Sequence, residues 1–459
     1  MRILLIEPAK SPISMAGEDV FLFEPLALEY VAAGVSKDHE VKIVDQRIDD
    51  SIDETFKSFD PEIVGITGYT VHVNMVKRLA ERAKNWNPDT VTVVGGHHAT
   101  VAPRDFETPD IDLVVVGEGV EALRGIVQRL GASESFNGIP GVWVNTNSVL
   151  QAGPPNPPQN LDDFPFPDRS LTAAYRHAYY SEYMQPLASI RTSKGCPFRC
   201  NFCALWKIAG GRYMKRKPEN IVRELREIEE EFVFFADDES LVDASRMKRL
   251  AEIIRDSGLK KRYFLYGRSD TIAKHPDLLE LWRDVGLERV FVGLEFFRDS
   301  DLELINKGST SDDNRRAVRV LQDLGIDIYA SFIVRPEFSR GDFAAFRRYC
   351  RSIGLSFASF AVLTPLPGTD LFEEVEDKLI TREPEFFDFI HTVLPTKLPL
   401  DEFYDQFYRL YTRSIPLRNV VSFMLKFHLK DLPAHLGKFR RWSKRLRTLH
   451  TDYDRCGLG

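Results

Sequence analysis

Short apolar runs rich in β-branched residues recur through the first third of the chain, at 2–7 (RILLIE), 40–45 (EVKIVD), 63–67 (IVGIT), 90–95 (TVTVVG) and 113–117 (LVVVG). Between them, apolar positions follow helical spacing over 26–35, 52–58, 71–85 and 121–130. Strands that alternate with helices predict a parallel, doubly wound sheet covered on both faces, the α/β class. Such a sheet binds its ligand beyond the carboxyl ends of the strands, where the strand order reverses.

The same alternation resumes later. Strands are predicted at 187–192, 232–236, 262–266, 289–294, 326–334 and 357–363, with helices at 221–231, 244–257, 278–285, 313–324 and 344–353. Six β/α units are too few for an eight-stranded barrel, so a partial parallel barrel is expected, functional at the carboxyl ends of its strands. The stretch between the two patterns is rich in proline and reads as an extended linker. Beyond residue 384 the sequence turns aromatic and helical, with Phe403, Phe407, Leu410 and Tyr411 along one helical face. The expected organisation is therefore 1–150, a Rossmann-like ligand domain; 151–185, a linker; 186–380, a partial (β/α)6 barrel; and 381–459, a helical, basic C-terminal region.

Composition adds a compartment and an asymmetry. The chain is globular in its charged and apolar fractions, and it lacks both signal-peptide anatomy and an apolar run of membrane-spanning length, which predicts a cytoplasmic protein. The net charge is -7, yet residues 409–455 carry twelve Lys and Arg against three Asp. A basic, partly amphipathic tail of this kind predicts contact with the inner face of a membrane. No RNA-binding module accompanies it, and no nucleic acid is expected.

Chemistry enters with the cysteines. Three of the five lie at Cys196, Cys200 and Cys203, spaced C-x3-C-x2-C, while Cys350 and Cys456 stand alone. Three thiolates on one short loop can ligate three irons of a [4Fe-4S] cluster and leave the fourth open. A zinc knuckle would need a fourth ligand, and neither a second cysteine pair nor a nearby downstream histidine is present. Upstream, the predicted strand ends carry Glu7-Pro8, Gly68-Tyr69-Thr70, Gly95-Gly96-His97-His98-Ala99-Thr100 and Gly117-Glu118-Gly119. Glycines there let a bulky ligand approach the backbone. No G-x-G-x-x-G follows the first strand, which argues against a dinucleotide.

Two resemblances follow from these residues. The segments around Pro25, Gly68 and Gly95 resemble the cobalamin-binding domains that precede radical S-adenosylmethionine (SAM) enzymes. The cysteine spacing, with Phe202 directly before the last cysteine, resembles the radical SAM superfamily. The resemblance implies a [4Fe-4S] cluster on Cys196, Cys200 and Cys203, with SAM chelating the open iron and being cleaved to a 5'-deoxyadenosyl radical. It implies SAM contacts at Phe202, Asp237, Asp238, Glu239, Arg268, Asp270, Glu295, Thr364 and Pro365. Cobalamin contacts are implied at Glu7, Pro8, Gly68, Tyr69, Thr70, Gly95, Gly96, His97, Thr100, Gly117 and Glu118. No D-x-H-x-x-G occurs, so cobalamin is expected base-off, without a histidine below the cobalt. No catalytic acid or base is expected, because hydrogen-atom abstraction and methyl transfer need none. The turn at 364–369 is similar to the T-P-x-P-G-T of cobalamin-dependent members. The absence of cysteine before Cys196 separates the chain from the methylthiotransferases.

The segment from Phe386 to the tail also resembles the hopanoid C-3 methylases. The implied function is C-methylation of an unactivated carbon, in a membrane lipid such as a hopanoid, with a flavodoxin- or ferredoxin-type electron donor. A cyclase that uses the same cofactors without methyl transfer, and a non-catalytic cobalamin and iron-sulfur regulator, are the alternatives.

Overall fold

The computed structural model describes residues 1–15, 20–427 and 432–455; Cys456 lies outside the described residues. Seven strands form the first sheet: β1 (Arg2–Glu7), β2 (Glu40–Asp45), β3 (Ile63–Ile66), β4 (Val91–Val94), β5 (Leu113–Val115), β6 (Val142–Thr146) and β7 (Val149–Gln151). Their order is β2-β1-β3-β4-β5-β6-β7. The first five are parallel, and the order reverses between β1 and β3. Apolar residues cover both faces. Leu4, Ile6, Val64 and Val94 pack on one side, and Ile3, Leu5, Val93 and Leu113 on the other. This double burial is why these strands read as continuous apolar runs.

The antiparallel pair β6–β7 was not predicted. Its sequence, VWVNTNSVLQ, is short and half-buried, and Asn147 and Ser148 make its turn with positive φ. Such a hairpin adds an edge strand without a crossover helix, so no alternation with a helix announces it.

The second sheet is fully parallel and holds six strands in sequence order: β8 (Leu187–Ile190), β9 (Phe232–Phe235), β10 (Arg262–Arg268), β11 (Leu287–Glu295), β12 (Asp327–Val334) and β13 (Ala358–Val362). It is the expected partial barrel of six β/α units. Phe234, Phe264, Tyr266, Phe291 and Tyr329 fill its interior with stacked and edge-on rings. At the strands' amino ends, the fully buried Arg289 pairs with Glu182 at 2.5 Å beneath these rings. The open edge at β13 is covered by helix α1 (Leu400–Arg413), whose Tyr411 hydroxyl bonds the backbone of Phe360. Phe403, Phe407 and Leu410 are buried along this helix, as its spacing predicts.

Two segments differ from expectation. Residues 161–185 are extended only in part, with 3-10 turns at Arg169–Thr172 and Arg176–Ala178 and a strand at Tyr180–Ser181. Polar residues fix them: Arg169 reaches Glu224 at 2.8 Å and Arg176 reaches Glu24 at 2.5 Å, joining the two sheets through buried charges. Residues 387–399, expected to be helical, have no regular structure. There Asp388 turns the chain by accepting from the amides of Ile390 (2.9 Å) and His391 (2.7 Å), and Pro395 and Pro399 exclude a helix.

Candidate functional site

The carboxyl ends of the two sheets face each other. On the barrel side, β8 delivers Ser193-Lys194-Gly195 and then the cysteine loop. Asp237, just past β9, accepts from the amides of Thr192 (2.7 Å) and Ser193 (2.8 Å) and from the Thr192 hydroxyl (2.6 Å). Asp238 accepts from the amide of Gly195 at 2.6 Å. These aspartates thus fix the start of the loop. Gly195 has φ +84, and a Cβ there would strike the carbonyl of Arg212, so only glycine makes this turn.

The far side of the loop is held by Asn201. Its amide donates to Ile305 O at 3.2 Å, its side chain to Leu304 O at 3.0 Å, and its carbonyl accepts from Leu371 N at 2.9 Å. Cys200 is buried and Cys196 and Cys203 are half-buried. Phe202 packs against the barrel core. Burial pushes the Cys196 thiol up to about 11 and the Cys203 thiol up to about 12. Desolvated thiols become thiolates when a metal supplies the positive charge, so this donor set fits a cluster. Among the described residues no three His, Cys, Asp or Glu side chains converge on one point as a single-ion site requires.

Around the cysteines stand buried charges. Arg268 lies 3.8 Å from the Cys200 sulfur, stacks over Phe198 at 3.7 Å, and bonds Asp270 (2.9 Å) and the Lys307 carbonyl. The Arg268 amide donates to Glu239 Oε1 at 3.1 Å, whereas the buried Glu239 Oε2 has no partner among the described residues. Burial lifts the Glu239 carboxyl to about 7. An orphaned carboxylate oxygen beside the cysteine loop fits the ammonium of an amino acid such as SAM. Glu295, at φ +55, pairs with Lys307 at 2.6 Å, both almost fully buried. The Thr364 hydroxyl is spent on Val362 O at 2.9 Å, and beside it the turn through Pro365 brings Gly368 against Val101 of the first domain.

The opposing wall has a different make-up. Glu7 and Pro8 end β1, and the buried Glu7 lies near Arg47, one of the charges that raise the guanidinium. Gly68, Tyr69 and Thr70 follow β3, and Tyr69 stacks on His97 with ring centroids 4.8 Å apart. Tyr69 is 54% exposed, and His97 is exposed as well, yet both lie in the gap between domains. Enclosure in the gap, with Lys194, holds the His97 imidazole below its usual pKa and favours its neutral form. Gly96 has φ +100, and a Cβ there would meet Thr67 Oγ1 at 2.6 Å. At Gly95 a Cβ would meet nothing closer than Val115 at 3.7 Å, so the fold leaves that position free for a ligand's close approach. A gap lined by accessible rings and glycine backbone fits a large planar macrocycle.

Several predicted contacts serve the fold instead of pointing into the gap. Thr100 donates to Gly96 O (2.8 Å) and accepts from the amide of Gly117 (3.1 Å), bracing the two turns. His98 is buried between Thr70 (3.1 Å) and Asp105 (2.8 Å). Glu118 forms an ion pair with Lys194 and lies 3.8 Å from Arg191, locking the two mouths together. Lys194 and Arg191 had no sequence signal beyond proximity to the cysteines, and Lys307 had none, because a lone Lys or Arg reads as surface until its partner is known.

Residues 15–127 match the B12 binding domain, and residues 190–350 match the Radical SAM superfamily. The chain is 31% identical to the hopanoid C-3 methylase of Methylococcus capsulatus, across 88% of this chain and 78% of that protein. It is 29% identical to the anaerobic magnesium-protoporphyrin IX monomethyl ester cyclase of Rubrivivax gelatinosus, across 80% of this chain and 68% of that protein. Among solved structures, OxsB, a cobalamin-dependent S-adenosylmethionine radical enzyme, shares the fold with a TM-score of 0.71 at 15% identity, covering 96% of this chain and 71% of that one.

Proposed function

The chain belongs to the cobalamin-dependent radical SAM methyltransferases, and from that premise we propose that it methylates an unactivated carbon of a membrane lipid of the hopanoid class. The observation that carries the substrate class is the similarity to a hopanoid C-3 methylase over 88% of this chain. The aromatic interior of the barrel, where Tyr266 and Phe291 pack at 4.7 Å, supports an apolar substrate.

In this reading Cys196, Cys200 and Cys203 hold the cluster, and Glu239 and Arg268 take the amino and carboxylate groups of SAM. Gly95, Gly96, Tyr69 and His97 hold the cobalamin. When bound, the cluster and SAM supply hydrogen-atom abstraction and the cobalamin supplies the methyl group. The protein's part is placement and exclusion of water. Asp237 and Asp238 fix the cysteine loop, and the Glu118–Lys194 pair and the Gly368–Val101 contact set the distance between the two walls. No side chain is required to move a proton at the substrate carbon.

The test is anaerobic turnover of the fully reconstituted protein with SAM labelled in its methyl group and a desmethyl hopanoid. Label in a product heavier by one methylene is the expected result. The similarity to a magnesium-protoporphyrin cyclase favours a second reading, in which the same cofactors oxidise a substrate without methylating it. SAM cleavage with a tetrapyrrole, and no label in any hopanoid, would replace the first reading by the second.

A further inference from the structure

Two C-terminal helices expose a surface that the chemistry between the domains does not use. Helix α2 (Leu417–Met424) presents Leu417, Val421 and, just past its end, Leu425, at i, i+4 and i+8. Leu417 and Leu425 are 77% and 76% exposed. Helix α3 (Leu432–Arg447) adds Leu436 and Phe439. These residues make up five of the ten large apolar side chains exposed among the described residues, within a segment of fewer than thirty residues.

The two helices are positioned by their inner faces. Phe423 packs on Phe357 at 5.1 Å and on Tyr183 at 6.0 Å, and Lys426 pairs with Asp327, all at the amino ends of the barrel strands. The Phe427 and His435 rings meet at 4.7 Å, and α3 packs along α1, with Trp442 on Tyr411 at 4.6 Å. With aromatic residues turned inward in this way, the outward leucines are not core residues awaiting a partner helix of the same domain.

Positive charge surrounds them. Arg418 lies beside Leu417, and Arg440 follows Leu436 by one turn on the same helical face as Phe439. Arg418, Arg440, Arg441 and Lys444 form no ion pair among the described residues, whereas Arg445 and Arg447 reach Asp452 and Asp405. Among those residues no helix is long and apolar enough to cross a membrane. Exposed leucine and phenylalanine bordered by unpaired cations match the apolar and anionic layers of a bilayer surface, into which such a helix inserts only its apolar side.

We propose that the exposed faces of α2 and α3 are a docking surface for an anionic lipid bilayer. Its α2 part lies at the amino ends of the barrel strands, the end away from the cysteine loop. It therefore attaches the enzyme to a membrane without forming the entrance to the site, and it stands whether or not the substrate is a lipid.

The test is flotation of the full-length protein with vesicles of phosphatidylcholine alone or mixed with phosphatidylglycerol, alongside its molar mass in solution. The wild-type chain floats with the mixed vesicles only, and added salt weakens binding. L417S/L425S lowers the bound fraction about ten-fold, through lost apolar insertion, and R440Q/R441Q lowers it several-fold, through lost attraction. Both pairs are exposed, so iron content and thermal midpoint stay at wild-type values. Equal flotation with both kinds of vesicle, or no flotation, would overturn the proposal. So would a dimer that L417S/L425S converts to monomer, since the surface would then belong to a second copy of the chain.

Discussion

The two walls of the gap are made of different materials. The first domain meets it with glycine backbone, stacked Tyr69 and His97 rings and imidazoles held neutral. The barrel meets it with buried charges, among them Glu239, Arg268 and the Glu295–Lys307 pair. A neutral wall selects by shape and close approach, whereas a charged one selects groups of fixed charge. The two cofactor sites should therefore fail separately.

The strongest separation comes from C196A/C200A/C203A, which is expected to abolish bound iron and SAM cleavage while cobalamin is retained. Iron analysis and the cobalamin absorption spectrum read the two sites independently. Loss of both together would mean that the walls fold as one unit. A smaller effect follows from Lys307→Met, which strands the Glu295 carboxylate in a buried position. Breaking such a pair costs about 3–5 kcal/mol, which a thermal melt will show, and Glu295→Gln in the same chain should recover part of it.

The walls also differ in how much of them was legible in the sequence. The parallel strands of both sheets were legible because they are apolar runs with buried side chains, and the cysteines were legible because three thiols at that spacing have few other uses. The charged wall was half legible. Asp237 and Asp238 announced a crowded strand end, but not that they would brace the cysteine loop through Thr192, Ser193 and Gly195. Partners distant in sequence escaped altogether. Glu118 meets Lys194, and Arg176 meets Glu24, across separations that no periodicity encodes. The segment after residue 384 misled because its apolar spacing is helical while its hydrogen bonds belong to Asp388.

That segment closes the gap on a third side, with the turn at Pro384–Phe386 packed on the one at Thr70–His72. Its pH response sharpens the contrast. His391 is fully buried between Asp388 (2.9 Å) and Asp452 (3.1 Å). Against the cost of burial, these carboxylates raise it to about 9. A base with a raised pKa contributes stability that is complete below its unfolded value of about 6.5 and is lost as pH rises through about 9, on the order of 3 kcal/mol here. His72 has the opposite sign. Burial lowers it to about 4, so its contribution is complete above about 6.5 and is lost as pH falls toward 4. Thermal midpoints against pH should fall on both limbs, and His391→Gln should flatten the alkaline limb alone.

The finest test of the neutral wall is Gly96→Ala. At φ +100 an alanine is strained, and its Cβ would lie 2.6 Å from Thr67 Oγ1 and 3.0 Å from the Gly68 backbone, so the turn must shift. Strain of this kind costs about 1–3 kcal/mol. Because Gly68 and Tyr69 stand on the neighbouring strand end, the shift should weaken cobalamin retention more than it lowers the thermal midpoint. Gly95→Ala supplies the control, since its Cβ meets only Val115 at 3.7 Å. If position 95 is where a macrocycle approaches the backbone, G95A leaves the thermal midpoint unchanged and still weakens retention. Unchanged retention in G95A would confine the glycine requirement to the turn itself.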